Sequence, residues 1–148
     1  MSARPPIPSR DAFAEFRPIT TRWLDNDAYG HVNNVVYYAW FDTVVNARLV
    51  EAGLLDPERG AVVGVVAETS CRFHDSVAFP EPVEAGLAVE RLGTSSVAYR
   101  IGIFRPDGEQ AVADGRFVHV YVDRATRRPV PIPAAIRELL APLADDRP

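Results

Sequence analysis

From Val35 onward the chain runs Val36, Tyr37, Tyr38, Ala39, Trp40 and Phe41, then Val44, Val45, Ala47 and Leu49, with hardly a polar residue in the first half. Val36, Tyr37, Trp40, Phe41, Val44, Val45 and Leu49 recur at helical spacing. Val35, Tyr38, Ala39 and Ala47 widen that stripe almost to the full circumference. A helix this apolar cannot lie on a surface. It has to be wrapped on several sides, by a curved sheet or by a partner subunit. Asn33 or Asn34 supplies the N-cap, its side-chain oxygen accepting from the first free N–H groups. The helix is expected to run to about Ala52, with Gly53 as the residue just past its end. Its ~19 residues span roughly 28 Å, about the diameter of a small domain.

The rest of the chain has a different period. Residues 16–24 alternate Ile19, Thr21 and Trp23 with Thr20 and Arg22, which predicts a strand with one buried face. Pro18 confines that strand to an edge or an entry position. Residues 61–73, 83–92, 96–104 and 110–122 read as four more strands, and 134–140 as a short terminal helix. Arg105, Pro106, Asp107 and Gly108 form a turn in which Pro fixes φ and Gly is expected to supply a positive φ. That turn makes a hairpin of the last two strands. Residues 1–13, with Pro5, Pro6 and Pro8, are expected to form a loose arm on a single domain spanning 1–148. The order β-α-β-β-β-β is an α+β arrangement, one helix on a mostly antiparallel sheet. One sheet around one helix leaves an edge and a helix face to cover, and dimerisation covers both.

Composition narrows the function classes. Hydrophobic residues are 47% and charged residues 24%, ordinary for a globular chain. The net charge of -4 argues against a nucleic-acid partner, which needs a basic face. All 16 basic residues are Arg, which binds phosphate well, although all-Arg usage is also what a genomic bias produces. A single cysteine, Cys71, excludes an intrachain disulfide and a Cys-based zinc cluster. No apolar run approaches the ~20 residues of a membrane span, and the N-terminus lacks the apolar core of a signal peptide, so a cytoplasmic location is expected.

The chemistry sits in Asp25-Asn26-Asp27-Ala28-Tyr29-Gly30-His31-Val32-Asn33-Asn34, just before the apolar helix. A carboxylate there faces partial positive charge and unpaired N–H donors. Those donors can hold a carbonyl oxygen and the oxyanion formed when the carbonyl is attacked. Asp27 can attack the carbonyl carbon itself or draw a proton from water; equally, it can simply turn the loop. Asp25 shares a face with Asp27 in an extended segment, so the two can meet and raise one pKa, or Asp25 can hold the loop through backbone bonds. His31 can orient the carboxylate, donate to a leaving thiolate, or stabilise the loop. An oxygen-rich metal set of Asp25, Asp27, His31 and Asn33 lacks regular ligand spacing, and no metal or other cofactor is expected. Glu68, inside an apolar strand, is a second acid or a partner for Arg72 if buried, or else a solvated outward residue. Neither His74 nor His119 is accompanied by a nucleophile motif, and there is no G-x-S-x-G, Gly-rich phosphate loop or H-E-x-x-H.

Those residues, with Tyr37 and the segment Val122-Asp123-Arg124 through Pro129, Pro131 and Pro133, make the chain resemble the acyl-CoA thioesterases of the hotdog fold, near the 4-hydroxybenzoyl-CoA thioesterase group. The resemblance spans about residues 16–140. It implies a curved, mostly antiparallel sheet around one long central helix, in a homodimer or homotetramer. It implies hydrolysis of an acyl-CoA or acyl-carrier-protein thioester to a carboxylic acid and a free thiol. In that family the second aspartate is the catalytic carboxylate, which falls on Asp27, and the oxyanion donor is the backbone N–H at the start of the helix, which falls on Asn34. The H-V-N-N-x-x-Y run is also similar to plant acyl-carrier-protein thioesterases, in which a His matching His31 takes part; their Asn position holds Tyr29 here. Tyr29, Asn33, Tyr37 and Trp40 are the substrate-binding expectation, and Gly93, Thr94, Ser95 and Ser96 match the CoA-binding stretch with only Arg91 nearby. Two rival readings stay open: a hydroxyacyl thioester dehydratase, for which Asp42 and Glu51 lie on the helix, and a non-catalytic acyl-binding module.

Overall fold

The computed structural model describes residues 4–144. Helix α1 is Asn34–Glu51, and its cap is Asn33, whose side-chain oxygen accepts the Val35 N–H at 3.1 Å. It ends where Gly53 takes φ 72°, letting the Gly53 and Leu54 N–H groups close onto the carbonyls of Val50 and Leu49. Tyr37, Trp40, Phe41, Val44, Val45 and Leu49 are buried. Val35 and Val50 on the opposite side are more than half exposed. The helix is therefore wrapped on one side and bare on the other.

Five strands follow the order β1-β3-β4-β5-β2, every neighbouring pair antiparallel. They are β1 (Glu15–Ile19), β2 (Val62–Phe73), β3 (Val83–Leu92), β4 (Ser96–Phe104) and β5 (Ala113–Asp123). Pro18 is tolerated because β1 is an edge. The expected first strand, 16–24, is shorter than its alternation suggested. The buried Asp25 carboxylate accepts the Arg22 N–H at 2.8 Å and folds Trp23–Asp25 into a 3-10 turn, leaving Trp23 and Leu24 exposed. The last strand starts at 113 rather than 110 because Gln110 and Ala111 pair with the N-terminal segment, Ser9 bridging Gln110 and Pro8 accepting from Ala111.

The β4–β5 turn closes by the Gly108 N–H on the Arg105 carbonyl at 2.9 Å. Gly108 is not among the positive-φ glycines, so Pro106 sets the turn and Gly108 merely closes it. Of the expected loose arm, residues 1–3 lie outside the described residues, and residues 4–13 are not loose. Phe13 is buried against Phe104 on the outer face of the sheet, over Gly102, where a Cβ would come within 2.6 Å of its ring. The Arg10 guanidinium lies 4.9 Å from the centre of the Phe16 ring and pairs with Glu84. The inner face of β3, β4 and β5 is the main core, with α1 packed on it and α2 (Ala134–Leu140) closing one end through Ile136 and Leu140. Among the described residues no helix is long and apolar enough to cross a membrane.

Candidate active site

The loop before α1 is built almost entirely from its own backbone. Asp27 N–H donates to the His31 carbonyl at 2.9 Å, Gly30 N–H to the Asp27 carbonyl at 3.1 Å, and Asn33 N–H to the Asp25 carbonyl at 2.8 Å. Asn26 and Val32 form an isolated bridge that makes the segment a miniature hairpin, and Gly30 (φ 82°) supplies its tight corner. The loop is tied to the body twice: Val32 N–H reaches the Val77 carbonyl at 2.9 Å, and the Asn26 side chain accepts the Phe79 N–H at 3.0 Å.

The two carboxylates have different surroundings. Asp25 is 1% exposed and accepts from the Arg22 backbone and guanidinium, at 2.8 and 2.7 Å. It holds the loop and does not meet Asp27. The Asp27 Oδ1 accepts only the Tyr29 N–H at 2.8 Å, and the residue is half-buried. Its second oxygen has no partner among the described residues. Asn34 is the first residue of α1, and its N–H belongs to the donors that a helix leaves open. Carboxylate and amide thus belong to one continuous segment, on either side of Asn33 in the chain.

The other expected residues are spread more widely. The His31 carbonyl takes part in the loop, but its imidazole is exposed and makes no hydrogen bond to Asp27. Tyr29 is 86% exposed. Tyr37 and Trp40 are buried, ring centres 4.9 Å apart, and burial pushes the Tyr37 phenol up to about 12. The aromatic ring that sequence reasoning missed is Phe73, half exposed and 5.0 Å from Tyr37. Only the fold brings β2 beside the first turn of α1, so no spacing signalled it.

Phe73 marks the start of a seam between α1 and the inner face of β2, and a groove of 520 Å³ opens beside it, lined by Pro5, Pro6, Ile7, Cys71, Arg72 and His74. The Cys71 thiol is pushed up to about 12 by burial, so it is an apolar wall and not a nucleophile. Arg72 pairs with Asp114, which also holds His74 at 2.6 Å, while Glu68 faces outward and pairs with Arg116. Among the described residues no group of three His, Cys, Asp or Glu side chains is placed to hold a metal ion.

None of the functionally curated proteins matches this chain. Among solved structures, the PA5185 protein of Pseudomonas aeruginosa is 51% identical over 97% of this chain and all of that one, with a TM-score of 0.92. PA2801 of the same organism, a candidate thioesterase, is 31% identical over 83% of this chain and 95% of its own, with a TM-score of 0.78. The BH1999 gentisyl-coenzyme A thioesterase shares the fold at 21% identity, with a TM-score of 0.75 over 85% of this chain and 99% of its own. Residues 21–140 match the thioesterase-like superfamily, and a five-stranded antiparallel sheet packed on one long helix is the hotdog fold. This chain belongs to the thioesterase-like superfamily.

Proposed function

We propose that the protein hydrolyses an acyl thioester of CoA or of an acyl-carrier protein to a carboxylic acid and a free thiol. The observation that carries this reading is the half-buried Asp27 carboxylate, with one oxygen unpartnered among the described residues, in the loop that leads into the open N-terminus of α1. The thioester carbonyl oxygen rests on the Asn34 N–H, where the helix dipole favours the charge that develops on it. Asp27 either adds to the carbonyl carbon, expelling the thiolate and leaving an anhydride for water to open, or takes a proton from the water that attacks. His31 and Asn33 border the loop; Tyr29 offers an exposed ring at its tip. The acyl chain lies along the α1–β2 seam, passing Phe73 with Tyr37 and Trp40 behind it.

A second copy of the chain covers that seam. Residues 66–70 of edge strand β2 are exposed, as are Val35 and Val50 on the bare side of α1. An unpaired edge next to an uncovered apolar helix face is what an isologous dimer buries. Light scattering on the purified protein tests this, with a monomer at micromolar concentration as the contrary result.

The activity is tested by a panel of acyl-CoAs with a thiol-trapping dye. Thiol release across part of the panel supports hydrolysis. Hydration of an enoyl thioester without thiol release supports the dehydratase reading, and binding without either reaction supports the acyl-binding module.

A further inference from the structure

Three polar atoms in the core have no hydrogen-bond partner: the hydroxyls of Tyr99 and Tyr121, and Nδ1 of His119. Their residues are 1%, 3% and 3% exposed. They belong to β4 and β5 and share the inner face of the sheet, with the His119 ring centre 6.1 Å from that of Tyr99 and 6.3 Å from that of Tyr121. The two hydroxyls lie close enough to interact with each other, though not in a well-aligned hydrogen bond, and nothing bonds to the His119 Nδ1. Burying three such groups unpaired is costly, and a native core leaves few of them.

The wall of the cluster facing the seam is a glycine. Gly64 lies opposite Tyr121 in the β2–β5 ladder, and a Cβ built on it would sit 3.3 Å from both His119 Nδ1 and the Tyr121 ring. Any larger residue would occupy the approach to the histidine. Val66, on the same face two residues later, is 49% exposed, so the seam is open to solvent next to this gap. On the helix side the Asp42 carboxylate is near enough to act on His119, and its side chain is engaged by Asn46. Asp42 is just over two turns beyond Asn34, about 12 Å along the axis.

We propose that Tyr99, His119 and Tyr121 form a distal subsite that binds an oxygen carried far along an aliphatic acyl chain, with a hydroxyl as the best fit. A neutral imidazole accepts a hydrogen bond at Nδ1 from the ligand O–H, and a tyrosine hydroxyl donates one to the same oxygen. The subsite rests on the thioesterase reading for its distance from the reacting carbonyl. An extended chain advances about 1.2 Å per bond, so about ten carbons or more separate the two ends. A hydroxyl on a single benzoyl ring falls short of it.

The test compares decanoyl- and dodecanoyl-CoA with their terminally hydroxylated counterparts, in thiol release by the wild-type protein and in binding to Asp27→Asn followed by titration calorimetry. The hydroxylated member of one pair is expected to be favoured about tenfold or more in both readouts. Tyr121→Phe and Tyr99→Phe should bring that ratio toward one. Equal binding of both members, or a ratio untouched by either substitution, leaves the cluster to a trapped water and overturns the proposal. Preferential binding without any thiol release would uphold the subsite and overturn the hydrolase reading instead.

Discussion

The loop from Asp25 to Asn34 and the cluster of Tyr99, His119 and Tyr121 both concentrate polar groups in an otherwise apolar body, and they do so in opposite ways. In the loop nearly every donor and acceptor is satisfied locally, and what is left open is the Asp27 carboxylate and the amide at the start of α1. In the cluster two hydroxyls have only a poorly aligned contact with each other and the His119 Nδ1 has no partner, although all three atoms are buried. A loop closed on its own backbone can hold the two proposed groups in place without needing substrate to order them, whereas the proposed subsite in the core takes its partner from the ligand.

Residue 27 aside, the largest effect is expected at the open amide. Asn34→Pro removes that N–H, and proline suits the first helical position. Asn33 has φ -62° and ψ 139°, the extended conformation that a residue before proline prefers. The fold should survive, with a melting temperature within a few degrees of wild type, while kcat falls by about 10²–10³. An unchanged kcat would remove the oxyanion role from this amide.

Next comes the cluster's response to pH. Burial pushes His119 down to about 4 from 6.5. Between those values the unfolded chain binds a proton there that the folded chain refuses, so stability falls as pH drops from 6.5 to 4, by about 3 kcal/mol, and the loss levels off below. His119→Phe should lose about that much less between pH 7 and pH 4 in urea unfolding. Equal losses in the two proteins would mean that the ring is solvated.

In the loop, Asp25→Ala takes the acceptor from the Arg22 N–H and leaves a hole where a 1% exposed carboxylate sat. The expected cost is about 2 kcal/mol in denaturant midpoint analysis. Arg22, whose side chain is 66% exposed, can turn to water and limits the damage. Smallest is Asn33→Ala, which loses the cap bond to Val35 N–H and about 1 kcal/mol of stability by the same measurement.

The contrast also separates what sequence could reveal from what it could not. The helix, its Asn33 cap and its Gly53 stop are local signals, and so is the crowding of Asp25, Asp27 and His31 into one turn of chain. Asp25 illustrates the limit: its spacing from Asp27 suggested two carboxylates on one face, but a 3-10 turn directs it inward to Arg22. Phe73 and the cluster were out of reach for a different reason. Tyr99 and His119 are 20 residues apart and Gly64 is farther still, and they meet only because β5 lies between β4 and β2. Tyr37 and Trp40 were read correctly as an apolar stripe, but spacing could not show that both rings turn fully into the core.

The central claim concerns residue 27, and Asp27→Asn is its most direct test, since the amide matches the carboxylate in shape and keeps the Tyr29 N–H bond through its oxygen. Thiol release from the best acyl-CoA substrate should fall by about 10²–10⁴ in kcat while circular dichroism and melting temperature stay at wild-type values. A variant that turns over at the wild-type rate would contradict the account.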